Sequence, residues 1–230
     1  MIVGFDTATP DTAVATWADG EGSERILGPS DGGRPLHNTE LLPLVEELIE
    51  AGGGWERVTL IAVGLGPGSF TGVRIGISTA RSLAQSRGVP IAGVPTTSAL
   101  LAGIPRAPDA EGRARLAVID ARRDEVFAAL DSGAGAGEPV VCAPSDLAPA
   151  LGMESLQGAV AGGNGAVRFR SEIEASGALV LPDGDEANRL SASRICELAA
   201  TAEAVGPEQI TPLYLRRPDA ERWRESNGSN

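Results

Sequence analysis

The chain has 230 residues, 42% of them hydrophobic and 22% charged, and a formal net charge of −12 at pH 7. A chain of this length can bury a hydrophobic core, and its length is consistent with two small lobes. The acidic balance argues against a self-sufficient nucleic-acid surface, because such surfaces neutralise phosphates with basic side chains. No apolar run approaches the ~20 residues of a membrane span, and residues 1–6 lack the basic start and apolar core of a signal peptide. We therefore expect a cytoplasmic protein that makes no membrane contact.

The first hundred residues predict the order βββαβα and a returning strand. Short β-branched or apolar runs between turn residues indicate strands, and longer runs with apolar residues three and four apart indicate helices. Strands are predicted at residues 2–6, 12–17, 24–27, 59–65 and 90–94. One helix begins at Asn38 or Thr39 and ends at residues 52–54, and a second ends near Arg87.

The second half of the chain repeats this plan. Residues 2–15 and 117–129 both indicate a buried strand that ends in an aspartate, Asp6 or Asp120, then a turn and a second strand. The later elements are a strand at 139–142, a helix from about 145, a strand at 159–161, and helices at 166–176 and 191–205. Two α/β lobes of βββαβα type resemble the actin-like, sugar-kinase and Hsp70 ATPase (ASKHA) fold, whose lobes are ribonuclease H-like.

The lobe boundaries follow from the composition of the connecting segments. We place the first lobe at residues 1–103, joined by part of 206–223, and the second lobe at residues 104–205. The linker between them is predicted near residues 102–113, which are rich in proline and charge. Residues 224–230 are predicted to form a disordered tail.

Proteins of this fold bind ATP between the lobes, so the two aspartate hairpins test whether a nucleotide site survives. The resemblance places six residues in a vestigial cleft: Asp6, Thr7, Asp120, Arg122, Gly162 and Gly163. Working ATPases carry a glycine two residues after the aspartate, where backbone approaches phosphate closely. This chain has Ala8 and Arg122 at those positions. We therefore expect no efficient ATP hydrolysis by this chain alone.

No catalytic residue and no metal site are predicted elsewhere. His37 is the single histidine, so it cannot form a metal site by itself, and its position just before a helix indicates a capping or interface role. Cys142 and Cys196 fit no metal or redox spacing. Four carboxylates have two interpretations, since they could bind Mg²⁺ together with a nucleotide in a cleft or accept local hydrogen bonds that cap turns. They belong to Asp6, Asp11, Asp120 and Asp124.

A glycine-rich segment at residues 64–76 leads from the fourth strand into the second helix. The chain contains no lysine, which excludes a P-loop, and Thr71 stands where a dinucleotide fingerprint has its third glycine. Small residues then recur every four positions and form a smooth ridge: Gly72, Gly76, Ala80 and Ala84. Three roles of this segment stay open: packing of the helix on the chain's own sheet, a helix–helix interface with another molecule, and anion binding by the loop.

Several motifs resemble the TsaB family, formerly called YeaZ, in the right order along nearly the whole chain. They are DTAT at residues 6–9, LLPL at 41–44, GPGSFTGVRIG at 66–76, DAR at 120–122 and PLYLR at 212–216. The GPGSFTG stretch is highly specific to the family, and the other motifs support it.

The resemblance implies a bacterial, non-catalytic subunit that pairs with its paralogue TsaD and works with the ATPase TsaE. Together they would transfer a threonylcarbamoyl group to the adenosine beside the anticodon of tRNA. The tRNA is expected to bind only through the complex, and a homodimer is expected when the chain is alone. No cofactor is expected for this chain, whereas ATP or ADP and a metal are expected in the partner subunits. The older label, M22 glycoprotease-like, comes from the paralogue and implies no protease activity.

The resemblance also assigns two helices to the seam with TsaD or with a second copy. The residues expected there are His37, Leu41, Leu44, Leu48, Phe70, Thr71, Gly72, Val73, Gly76, Ala80 and Ala84. A Gly76→Leu substitution would then abolish TsaD binding and leave the monomer folded.

Two other functions remain as alternatives. One is a nucleotide-dependent enzyme of the same fold, a kinase or carbamoyltransferase acting on its own, which would bind ATP with Mg²⁺ tightly and turn it over. The other is a metal-dependent peptidase, which the sequence argues against because the ligands for a catalytic metal are missing.

Overall fold

The computed structural model describes residues 1–105 and 114–216, which form two five-stranded mixed sheets with helices around them. The strands are β1 (Ile2–Asp6), β2 (Thr12–Ala18), β3 (Glu21–Leu27), β4 (Leu60–Gly64), β5 (Ile91–Val94), β6 (Arg115–Asp120), β7 (Val126–Asp131), β8 (Val140–Cys142), β9 (Val160–Gly162) and β10 (Leu179–Val180). The helices are α1 (His37–Ala51), α2 (Phe70–Arg87), α3 (Thr96–Gly103), α4 (Leu147–Ala150), α5 (Asn164–Arg168), α6 (Arg170–Ala175) and α7 (Ala192–Ala199).

The two sheets have the same topology. Their strand orders are β3-β2-β1-β4-β5 and β8-β7-β6-β9-β10. In the first sheet β1 pairs antiparallel with β2 and parallel with β4, and in the second β6 pairs in the same way with β7 and β9. The internal repeat predicted from the sequence is therefore confirmed, and with it the α/β fold of two ribonuclease H-like lobes.

The helices form three layers around the sheets. α1 lies on β2 and α2 on β4 at the outer face of the first sheet, whereas α5 lies on β6 and β9 of the second. Between the sheets, α3 contacts β6 and β7, and α7 contacts β1 and β2. Each inner helix therefore packs on the sheet of the other half of the chain. One apolar cluster joins Ala62 of the first sheet to Ile119 of the second.

Helix α2 begins and ends as its sequence dictates. The side chain of Ser69 caps its start by accepting a hydrogen bond from the N–H of Gly72 at 3.3 Å. Gly88 ends it with φ of 68°, a left-handed conformation that glycine adopts without strain. The predicted end of this helix near Arg87 is confirmed.

The end of the described chain returns to the first lobe. Val205 forms an antiparallel bridge with Ile91, and the N–H of Leu213 donates to the carbonyl of Leu65 at 2.8 Å. Residues 205–216 thus run beside α2 toward the cleft between the lobes. The rest of the predicted segment 206–223, the 224–230 tail and most of the 102–113 linker lie outside the described residues.

Candidate functional site

A cavity of about 480 Å³ lies between the two lobes, which is within the usual range for small-molecule sites. Four segments enclose it: residues 8–10 after β1, residues 67–71 at the start of α2, residues 120–123 after β6, and residues 213–216. Pro35, Phe127 and Asn164 complete the lining. We call this space the interlobe cavity.

The first-lobe wall of the interlobe cavity carries an aromatic pair. The rings of Phe70 and Tyr214 lie 5.1 Å apart with an interplanar angle of 30°. The guanidinium of Arg74 sits 4.0 Å from the centre of the Phe70 ring, and its Nε donates to the Tyr214 hydroxyl at 3.0 Å. This stack fixes the C-terminal segment against the first turn of α2.

The second-lobe wall is a charged turn between β6 and β7. Arg122, Arg123 and Asp124 have φ of 62°, 55° and 56°, so the backbone of three successive non-glycine residues is left-handed. Asp120 holds the turn by accepting from the N–H of Arg122 at 2.8 Å, and it also accepts from the guanidinium of Arg168 at 2.8 Å. Arg122 therefore occupies a position suited to glycine, as the sequence comparison indicated.

The other predicted cleft aspartate, Asp6, does not line the cavity. It is fully buried, with Oδ2 accepting from the Thr96 hydroxyl and Oδ1 from the N–H of Ala8, both at 2.6 Å. Burial raises the pKa of Asp6 from 3.8 to about 6, and the two hydrogen bonds partly oppose this. Thr96 also accepts from the N–H of Gly66 at 3.1 Å, so the network ties β1 to the glycine-rich segment.

The remaining cleft residues also face inward, which corrects the predicted vestigial site. The hydroxyl of Thr7 donates to the carbonyl of Gly72 at 2.7 Å, and Thr7 is 1% exposed. Gly162 and Gly163 are buried, and a Cβ on Gly162 would meet Ile104 at 2.9 Å. These glycines allow close packing under β6 and leave no open face for a nucleoside. Of the six predicted residues, only Asp120 and Arg122 line the cavity.

The predicted partner interface needs a larger correction, because most of its residues belong to the core of the first lobe. The buried members are His37, Leu41, Leu44, Leu48, Gly72, Val73, Gly76, Ala80 and Ala84. The small ridge of α2 lets the helix lie directly on the end of β1, where a Cβ on Gly76 would come 2.7 Å from the Thr7 hydroxyl. Packing on the chain's own sheet, one of the three uses left open, is what the structure shows. Phe70 and Thr71 reach the surface and line the cavity.

His37, predicted to cap a helix or join an interface, is buried at the start of α1. A hydrogen bond of 2.8 Å joins its Nδ1 to the Thr12 hydroxyl, and its Nε2 has no partner among the described residues. Burial lowers the pKa of His37, while the nearby Thr9 carbonyl and the charge of Asp11 oppose that shift. The side chain therefore links α1 to the start of β2 within the monomer.

The sequence did not assign most of the cavity residues to a site, and three of those it missed carry large side chains: Phe127, Tyr214 and Arg216. The signal was present for two of them, since Tyr214 and Arg216 belong to the closing PLYLR motif. The motif indicated family membership but not contact with α2, because that contact joins residues 140 positions apart. Among residues 1–105 and 114–216, no group of three His, Cys, Asp or Glu residues could hold a metal ion. None of the described helices is long and apolar enough to cross a membrane.

Comparisons with known proteins agree with this fold. The family model described as "TsaD: tRNA N6-adenosine threonylcarbamoyltransferase" matches residues 33–147. The Escherichia coli tRNA threonylcarbamoyladenosine biosynthesis protein TsaB is 33% identical over 99% of this chain and 98% of its own length. A TsaB of Haemophilus influenzae is 32% identical over 55% of this chain and 51% of its own length. The solved structure of YeaZ from Pseudomonas aeruginosa superposes with a TM-score of 0.74 at 28% identity, covering 93% of this chain and 99% of that one. On the strength of the E. coli relative, which aligns from end to end, the chain belongs to the TsaB family of tRNA threonylcarbamoyladenosine biosynthesis proteins.

Proposed function

We propose that this chain is a non-catalytic subunit that pairs with a TsaD and recruits a TsaE for threonylcarbamoyl transfer to tRNA. The observation that carries this is the alignment with E. coli TsaB over nearly the full length of both proteins. In this proposal the chain acts in the cytoplasm, forms a homodimer when alone, and contacts tRNA only within the complex. ATP or ADP and a metal belong to the partner subunits.

The exposed faces of α1 and α2 are the surface we assign to TsaD. Leu42 on α1 is 49% exposed, and Tyr214 beside α2 is 39% exposed. These are two of the four large hydrophobic residues exposed in the described chain, the others being Met153 and Leu179. We therefore assign the interface with TsaD to the exposed side of α1 and α2, opposite the side that carries the buried ridge of small residues. An apolar side chain with a polar surround suits a protein interface.

The proposed function is tested by reconstitution. Purified chain, TsaD, TsaE, ATP, threonylcarbamoyl-AMP and unmodified tRNA are mixed, and threonylcarbamoyladenosine is measured after nuclease digestion. We expect the modification to fall to background when the chain is omitted. Undiminished modification in its absence would contradict the proposal, and ATP turnover by the chain alone would favour the nucleotide-dependent enzyme instead.

A Leu42→Arg substitution should weaken TsaD binding at least about tenfold without changing the melting temperature, because a charge would enter an apolar contact. The matched control is Leu179→Arg, since Leu179 is 52% exposed on β10 of the second lobe. Both variants are measured by co-purification and by titration against TsaD. If Leu42→Arg and Leu179→Arg bound TsaD with equal affinity, α1 would not be part of the interface.

A further inference from the structure

Arg74 is an exposed arginine near the start of α2, and aromatic rings hold its guanidinium in place. The guanidinium carbon lies 4.0 Å from the centre of the Phe70 ring, and Nε donates to the Tyr214 hydroxyl at 3.0 Å. The Phe70 and Tyr214 rings in turn pack on each other at 5.1 Å. A guanidinium that is already fixed loses less conformational entropy when it binds a ligand.

The charge of Arg74 is not neutralised by the described part of this chain. Among residues 1–105 and 114–216, no carboxylate pairs with Arg74, and its two Nη groups have no hydrogen-bond acceptor. Helix α2 itself contains no Asp or Glu. Arg115, Arg168 and Arg189, by contrast, each pair with an aspartate at 2.8 Å or less. The outer edge of the Arg74 guanidinium is therefore open to an anion from another molecule.

The surface around Arg74 suits a protein partner. Tyr214 is 39% exposed, Thr71 is exposed, and α2 contacts α1, which carries the exposed Leu42. Tyrosine and arginine are enriched among the few residues that dominate the affinity of protein interfaces. Arg74 and its two rings therefore have the composition of an interface hot spot.

A carboxylate fits Arg74 better than the phosphates of a nucleic acid do. Glu46, Glu47 and Glu50 are exposed on the neighbouring helix α1, and the net charge of the chain is −12. A nucleic-acid backbone would bring a row of negative charges past these glutamates, whereas one Asp or Glu side chain brings a single charge to Arg74. The planar fork of a guanidinium also matches the two oxygens of a carboxylate.

We propose that Arg74 binds a carboxylate of the partner subunit, an Asp or Glu side chain on the TsaD surface that packs on α1 and α2. The carboxylate lies against the outer edge of the guanidinium, which Phe70 and Tyr214 hold from the inner side. A partner that covered Arg74 without an anion would leave a charge buried and unpaired, which is strongly unfavourable. This inference rests on the proposed function, because it assigns a chemical group to the TsaD surface.

Titration of Arg74→Gln against TsaD, without tRNA, tests the proposal. We expect binding at least about tenfold weaker than that of the wild type, with an unchanged melting temperature because Arg74 is exposed. Arg74→Lys keeps the charge but loses the planar fork, so its affinity should lie between those of the wild type and Arg74→Gln. Raising NaCl from about 0.1 M to about 0.5 M should weaken binding of the wild type more than that of Arg74→Gln, because salt screens an ion pair only where one exists.

Two controls separate carboxylate binding from a structural role of Arg74. Arg87→Gln changes the last turn of the same helix, where Arg87 stacks on Trp55 at 4.3 Å, and should bind TsaD within about twofold of the wild type. Tyr214→Phe removes the hydroxyl that Arg74 contacts but keeps the ring and the charge, so it should weaken binding by less than about threefold.

The outcomes distinguish this inference from the proposed function. If Arg74→Gln bound TsaD like the wild type, or if either control weakened binding as much as Arg74→Gln does, the carboxylate contact would be wrong while the proposed function stood. Loss of tRNA modification by Arg74→Gln with intact TsaD binding would assign Arg74 to a phosphate instead. A wild-type chain that did not bind TsaD would overturn both proposals.

Discussion

Replacing Gly72 by alanine should lower the free energy of unfolding by about 3 kcal/mol or more. A Cβ on Gly72 would overlap the carbonyl oxygen of Thr7, and that oxygen belongs to backbone at the end of β1. Neither α2 nor β1 can move away freely, because both pack into the core of the first lobe. Urea denaturation at constant pH measures the loss.

Gly103→Ala is the matched control, because Gly103 is also helical and a Cβ there would meet nothing within 4 Å. Alanine is the better helix former by up to about 1 kcal/mol, so this variant should be as stable as the wild type or more stable. If Gly72→Ala and Gly103→Ala had equal stabilities, the close contact between α2 and β1 would be wrong.

The same geometry reverses the expectation for Gly76→Leu. The sequence predicted a folded monomer that fails to bind TsaD, but Gly76 is buried against Thr7 and Val63. A leucine there has no free volume to enter, so the variant should lose stability and partner binding together. It therefore cannot test the interface, whereas exposed Leu42 can.

The contribution of Asp6 to the stability of the chain should fall by about 2 kcal/mol as the pH rises from 4.5 to 7.5. The pKa of Asp6 is raised from 3.8 to about 6, so the folded chain keeps a proton that the unfolded chain has released. This contribution is complete below about pH 4 and is lost as the pH rises through about 6. Urea denaturation at the two pH values measures the change.

Asp6→Asn should lack this contribution. The difference in free energy of unfolding between wild type and variant therefore separates the effect of Asp6 from the effects of other titrating groups. His37 acts in the opposite direction, since its lowered pKa makes stability rise with pH, but it is common to both proteins. Asp19→Asn is the control, because Asp19 is exposed in a turn and its φ of 54° suits asparagine. Parallel pH profiles for wild type and Asp6→Asn would show that Asp6 does not titrate in this range.

Much of the fold could be predicted because its signals are local. The alternation of residues 12–17 indicated β2, and the aspartates that end β1 and β6 indicated the repeat of the two lobes. The single helix predicted at residues 166–176 is in fact two short helices, α5 and α6, that meet at Phe169. The helix predicted at residues 191–205 already ends at Ala199. Boundaries such as these depend on packing against other elements, which local patterns do not record.

The candidate site was less predictable. The ridge of Gly72 and Gly76 indicated a close neighbour but not which one, because a second helix and the chain's own strand both require small residues. The glycine pair at the end of β9 indicated a nucleotide turn, yet a Cβ on Gly162 would meet Ile104 of the first half of the chain. A glycine that allows ligand approach and one that allows backbone packing look the same in a sequence.

By itself, the sequence determined the family, the two-lobe repeat and the end of α2, since each depends on residues close together in the chain. Only the tertiary structure decided which face of α2 is buried, that Asp6 lies beneath the surface, and that residues 213–216 close a cavity with residues 67–71 and 120–123. The physical reason is that burial and cavity walls arise from contacts between distant segments. Hydrophobic packing is non-directional, so many pairings satisfy the same pattern of residues until the whole chain folds.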